Sequence, residues 1–170
     1  MLQSLLCQTI SDWSANIIID NPDDSSIVDL VKSFSDPRIR YYKLDQRYND
    51  FGHTPRNIGK QISNSKYIIM TGDDNYYVPT TVYELSLLSE QNAGMIYWDM
   101  IHSHYDYKYF QCSPFLNRID MGSFATRSDL AHQINLGSEY AADGLFVEKF
   151  KTLFPYEQIL YIPKVLFVHN

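Results

Sequence analysis

Asp73 and Asp74 stand side by side directly after Lys66–Thr71, whose β-branched, apolar run predicts a buried strand. In open α/β sheets ligands bind outside the carboxyl ends of the strands. Two carboxylates there can divide the work, one accepting from sugar hydroxyls and one holding Mg²⁺ or Mn²⁺ through oxygen. A plain turn uses the same residues, because Asp and Asn favour turns for local backbone reasons. Asp20 ends another short apolar run, Asn16–Ile19, and so belongs to the same sheet edge. It could accept an N–H from a nucleobase or simply cap its own turn. Asp143 precedes a helical stretch and suits either a helix N-cap or a catalytic base. Arg56 opens a helix and could contact a pyrophosphate with its fork of donors, or be a solvated helix-start arginine. His169 ends the last strand, as a metal ligand or a terminal residue. His102 and His104 form an HxH pair on one strand face with no third ligand evident, which favours an exposed edge.

These residues need elements to hold them. Leu2–Ile10 has apolar residues at helical spacing. Asn16–Ile19 and Arg38–Leu44 read as strands. Between them Ile27, Leu30, Val31 and Phe34 mark a helix, capped by Asp24 or Ser25 and closed by Asp36-Pro37. Pro55–Ile62 and Pro79–Gln91 read as further helices around the Lys66–Thr71 strand. The α, β, α, β, α, β, α order predicts an α/β fold with a mostly parallel sheet and helices on both faces. The second half differs. Met95–His102 and Tyr105–Cys112 read as paired aromatic strands, a small antiparallel part. Its aromatic run Tyr97-Trp98 through Tyr109-Phe110 should be core on one face, with the other free to stack on sugar rings. Ser128–Gln133 and Gly144–Leu153 read as helices, and Ile159–His169 as a last strand interrupted by Pro163.

The chain has 170 residues, 45% of them hydrophobic and 20% charged, with 14 Tyr and 9 Phe. That is one domain with a real core, residues 1–170, and not a disordered chain. Fourteen Lys and Arg against 20 Asp and Glu give a net charge of −6. With no basic stripe, nucleic acid is not the expected partner. A free nucleotide stays open, since a divalent cation can offset phosphate charge. Cys7 and Cys112 have no zinc or CxxC spacing and are expected as buried free thiols. No stretch has the length of a membrane span and no signal peptide is read, so the expectation is a cytoplasmic protein.

Seven segments in order resemble the inverting nucleotide-sugar glycosyltransferases of family 2, which have the GT-A (Rossmann-like) fold. They are Leu5-Leu6-Cys7-Gln8-Thr9 through Trp13, Ile17-Ile18-Ile19-Asp20-Asn21, Arg56-Asn57-Ile58-Gly59, Tyr67 through Asp73-Asp74-Asn75, Val78-Pro79, Ala142-Asp143, and Ile162-Pro163-Lys164-Val165-Leu166. The resemblance covers nearly the whole chain. It implies a nucleotide-sugar-binding half, 1–92, and an acceptor-side half, 93–170. It implies transfer of a sugar from a UDP- or dTDP-type donor to a glycan or other hydroxyl acceptor, with Mn²⁺ or Mg²⁺. Asp20 would contact the base, Asp73 the ribose, Arg56 the nucleotide and Asp74 the metal. His169 would be a further metal ligand and Asp143 the general base. Asn75 stands where the family often has an acid.

The family also opens with a central strand, reading roughly SVIIPTYN, between the strands ending at Asp20 and near Asp73; this chain starts at the following helix. Direct closure of the two flanking strands is expected, or a segment from another subunit in the gap, which leaves a homo-oligomer open. The rival reading is a non-catalytic GT-A-like module that binds a nucleotide or a glycan. A sugar-phosphate nucleotidyltransferase fits less well, because no Gly-rich basic loop is present.

Overall fold

A computed structural model describes all of residues 1–170. Helix α1 (Leu2–Leu6) precedes β1 (Ala15–Ile19), α2 (Ser25–Ser33) and β2 (Ile39–Lys43). β1 and β2 pair in parallel, from Ala15 opposite Ile39 to Ile19 opposite Lys43. A parallel pair needs a crossover, and α2 is that crossover. Asp24 caps it by accepting the Ser26 N–H at 2.9 Å. The Leu2–Ile10 run gives a shorter helix than its spacing suggests, because Gln8 and Thr9 turn toward another element. The Gln8 amide donates to the Val78 carbonyl at 2.8 Å and accepts the Val82 N–H at 3.0 Å.

After α3 (His53–Gln61) come β3 (Tyr67–Ile68), β4 (Tyr76–Tyr77) and α4 (Thr81–Ser89). The second half adds β5 (Met95–His102), β6 (Lys108–Phe110), β7 (Phe124–Arg127), α5 (Ser128–Ala131), α6 (Ala142–Leu153) and β8 (Ile159–His169). β3 to β8 form one sheet in the order β3-β7-β5-β8-β4, with β6 also on β5. The sheet is mixed. β5 and β8 run parallel, and the pairs β3–β7, β5–β7, β5–β6 and β4–β8 are antiparallel. The fold is therefore α/β, but parallel pairing is confined to β1–β2 and β5–β8, less than the alternating pattern suggests. β7, unforeseen in the sequence, returns antiparallel between β3 and β5.

Pro163 does not end β8. The register steps from Trp98–Ile162 to Asp99–Val165, so Pro163 and Lys164 are bulged out of the ladder. Proline has no N–H to donate, and a bulge removes the demand for one.

Successive residues of β5 face opposite sides, as a strand requires. Met95 joins Ile68, Phe124, Phe146, Val147 and Phe150 under α6. Ile96, Trp98 and Met100 join Tyr77, Ile162, Leu166 and Phe167, with Leu85 and Leu88 of α4 at the margin. Each such side chain contributes about 1.5–3 kcal/mol on burial.

The expected closure of β1 onto β3 does not occur. β1 pairs with β2, and β3 pairs with β7, in two separate sheets. Helix α3 links them instead. Gly59 brings it onto β1, where a Cβ would lie 3.1 Å from Ile18 Cγ1. Its other contacts are polar. Asn57 donates to the Leu136 carbonyl at 3.0 Å and accepts the Leu136 N–H at 2.9 Å, and the buried Lys60 ammonium donates to the Ile134 carbonyl. Burial pushes the Lys60 ammonium down to about 8. Cys112 is buried and its thiol is pushed up to about 12, but Cys7 is exposed, against expectation.

Candidate functional site

The turn between β3 and β4 carries Asp73 and Asp74, both exposed. Gly72 makes the turn possible, since a Cβ there would sit 2.8 Å from Asp74 Oδ1 and 3.1 Å from Asn75 Nδ2. Asn75 is buried, and its Oδ1 accepts the Asn170 N–H at 3.0 Å. An amide at this position thus ties the Asp73-Asp74 turn to the end of β8. A charged acid would be less suited to that buried link.

Arg56 lies in the first turn of α3. Its Nη1 donates to the Phe51 carbonyl at 2.6 Å, and its Nη2 approaches Gly72. Its Nε is buried without a partner. Burial lowers the guanidinium pKa, and Asp120, Asp143, Asp74 and Asp50, in falling order, oppose that. Arg56 is the one cation shared by these carboxylates from four segments.

Asp143 sits in the first turn of α6. The N-cap is Ala141, and Asp143 Oδ1 accepts the N–H of the adjacent Gly144 at 2.7 Å. Burial pushes its carboxyl up to about 6, and the nearby Asp120 charge adds to this. A carboxylate held near neutrality suits proton acceptance. Gly144 lets α6 start against the preceding loop, where a Cβ would lie 2.8 Å from the Leu116 backbone.

Asp120 was not foreseen. It N-caps the 3₁₀ turn Met121–Ser123, with Oδ1 accepting the Gly122 N–H at 2.8 Å, and its other oxygen lies 3.8 Å from His169 Nε2. Burial raises its pKa, and Asp74 adds to the rise. In sequence, Asp120 with Ser123 three residues on reads only as a turn cap. Its place in the site depends on β7 lying beside β5.

His169 ends β8, with Nδ1 3.1 Å from Ser103 Oγ. Its ring stacks on His102 at 4.2 Å between centroids, and His104 lies 5.4 Å away. The HxH pair therefore does have a third imidazole beside it. It is not on one strand face, because His104 belongs to the 3₁₀ turn Ser103–Tyr105. Burial, then the charges of His169 and His104, pushes His102 down to about 4. Asp20, just past β1, accepts the Tyr48 N–H at 3.0 Å and so anchors the loop before α3. The aromatic strand pair is partly structural. Trp98 is fully buried, and the Tyr109 and Tyr161 hydroxyls donate to buried Asp99 at 2.8 and 2.6 Å.

No set of three or more His, Cys, Asp or Glu side chains is assembled to hold a metal ion. The donor chemistry still fits a hard divalent cation. Asp74 is an exposed carboxylate whose like charge raises the Asp120 pKa, and such cations bind through one or two carboxylates plus substrate phosphates. No helix is long and apolar enough to cross a membrane.

No protein-family model and no curated protein sequence matches the chain. Solved structures do. Residues 1–349 of TarS from S. aureus align over 100% of this chain and 55% of that one, with TM-score 0.81 and 15% identity. The same protein in complex with UDP-GlcNAc aligns over 99% of this chain and 53% of that one, with TM-score 0.79 and 14% identity. The mannosyltransferase PcManGT from Pyrobaculum calidifontis, in complex with GDP-Man and Mn²⁺, aligns over 99% of this chain and 51% of that one, with TM-score 0.74 and 11% identity. The fold is that of GT-A glycosyltransferases, and the chain spans about half the length of these solved chains.

Proposed function

We propose that this chain binds a nucleotide diphosphate-sugar and transfers its sugar, with inversion, to an acceptor hydroxyl. The observation that carries the reading is that Asp74, Asp120 and Asp143 lie close enough for their charges to act on the half-buried Arg56. Asp20, directly past β1, is the candidate for the base, and Asp73, in the β3–β4 turn, for the ribose. Asp74 and His169 would supply ligands for Mn²⁺ or Mg²⁺, with Asp120 3.8 Å from His169. The cation, when bound, supplies charge neutralisation of the diphosphate leaving group. Arg56 offers a second positive charge to the same diphosphate. Asp143 takes the proton of the acceptor hydroxyl as its oxygen forms the new bond to the anomeric carbon. The bond from that carbon to the phosphate oxygen breaks on the opposite face, so the configuration inverts, as in water-activated glycosidases.

Calorimetric titration with UDP tests this. Binding is expected to be tighter with Mn²⁺ than with chelator, and Asp74→Ala should remove the difference while leaving the fold intact. No UDP or dTDP affinity under any metal condition would refute the donor site. One observation favours the rival, a binding module without catalysis. Asp20 follows a strand in a different sheet from the one carrying Asp73 and Asp74. Metal-dependent binding without transfer or hydrolysis of any nucleotide-sugar would select that reading.

A further inference from the structure

Phe51 and Tyr140 are two exposed aromatic side chains from the loops that lead into the helices of Arg56 and Asp143. Phe51 is 64% exposed and Tyr140 is 78% exposed. Their rings meet edge to face at 5.7 Å and 82°. They belong to loops far apart in sequence, joined where His53 Nε2 meets the Glu139 carbonyl at 3.1 Å. Phe51 adopts φ of +58°, a conformation that costs a bulky residue about 1–3 kcal/mol. Arg56 holds it there through the Phe51 carbonyl, and Gly52, at φ +79°, leaves room for the guanidinium. Tyr140 stands three residues before Asp143. The strained Phe51 backbone is thus bonded to Arg56, whose charge also reaches the candidate base Asp143.

The geometry points to a carbohydrate-stacking platform: the edge-to-face pair Phe51 and Tyr140 receives a pyranose ring of the acceptor and presents its hydroxyl to Asp143. This rests on the reading of Asp143 as the base. A pyranose has one apolar C–H face, which suits the electron-rich face of an aromatic ring. Its hydroxyls need acceptors at the rim, and the exposed Glu139, next to Tyr140, supplies a carboxylate there. Two rings are far too small a patch for a stable protein partner.

Saturation-transfer NMR on the full chain with UDP and Mn²⁺ tests the platform. The probes are methyl glucoside, methyl galactoside, methyl mannoside and diacetylchitobiose. Transfer to the C–H protons of one ring face is expected for at least one probe. Phe51→Ala and Tyr140→Ala should each weaken that probe about fivefold, whereas Phe51→Tyr and Tyr140→Phe should keep it. UDP affinity should stay unchanged throughout. The platform is refuted if no probe receives transfer, or if well-folded Tyr140→Ala retains it. Selective loss of UDP-GlcNAc over UDP affinity in the alanine variants would assign the rings to the donor sugar and overturn the acceptor assignment. Glycoside contact without any UDP binding would sink the donor reading and leave the platform standing.

Discussion

Strand β2 exposes four of its five residues, whereas β5 buries Met95, Ile96, Trp98, Asp99 and Met100. The contrast extends to whole halves. Neither large apolar cluster has a buried member before Ile68. The β1–α2–β2 layer contributes Ala15, Ile19 and Val31 to the buried set and little else. It is attached through α3, whose contacts to the other half include polar ones from His53, Asn57, Lys60 and Gln61. Elements with few buried apolar contacts open at low free-energy cost. The sheet built around β5 is therefore a stable platform, and the layer carrying Asp20 is a lightly held attachment to it.

The largest effect should come from the platform's chemistry. Asp143→Asn should lower turnover about 10²–10⁴-fold in a transfer or donor-hydrolysis assay, with UDP affinity kept. In the parent, kcat/KM should rise with pH to a plateau above about 6, the carboxyl's raised value. A pH-independent rate would remove Asp143 as the base.

Next comes the contrast in burial itself. Phe150→Ala, on the buried face of α6, should cost about 3–5 kcal/mol in urea unfolding. Tyr42→Ala on β2 should stay within about 0.5 kcal/mol. Comparable losses would show that the two halves are equally held.

The joint should fall between these. Asn57→Ala leaves the Leu136 N–H and carbonyl without their partner and should cost about 1–3 kcal/mol. Limited proteolysis should then cut first within residues 1–66. First cuts in β5 or β8 would contradict a loosened attachment.

The smallest effect is in the pH dependence of stability. Asp143 has a raised folded pKa, so its contribution is lost as pH rises from about 3.8 to about 6. His102 has a lowered folded pKa, so its contribution is lost as pH falls from about 6.5 to about 4. The two slopes oppose each other across one window. Asp143→Asn should leave melting temperature rising with pH there, and His102→Gln should leave it falling. Parallel profiles for both variants would mean that neither group carries its proposed linkage.

Much of this was legible in sequence because local signals and tertiary needs agreed. β1, α2 and β2 follow from β-branched runs, an Asp cap and the Asp36-Pro37 break. β5 and β8 are long enough to be read directly. Lys66–Thr71 shows the limit. Its pattern predicts six residues of strand, but only Tyr67 and Ile68 pair, because the ladder with β7 ends there. β7 has four residues, Phe124–Arg127, too few to declare a period. Asp120 escaped for the same reason, since its neighbours in space come from β3, α3, α6 and β8. Asp20, Asp73, Asp74, Arg56 and Asp143 are candidates by position and resemblance; that carboxylates from separate segments act on the half-buried Arg56 is visible only in three dimensions.

β1 has a partner on one side. Ala15 donates to Arg38 and Ile19 accepts from Leu44, so Ala15, Ile17 and Ile19 turn their amides toward β2. Asn16 and Ile18 direct theirs to the opposite side, where no strand pairs with them. Along five residues the strand therefore alternates between locked and free amide protons. Deuterium uptake should show a period of two in β1, fast at Asn16 and Ile18 and slow at Ile17 and Ile19, while at Met95–Tyr97 of β5, paired on both sides, neighbouring amides exchange at one slow rate.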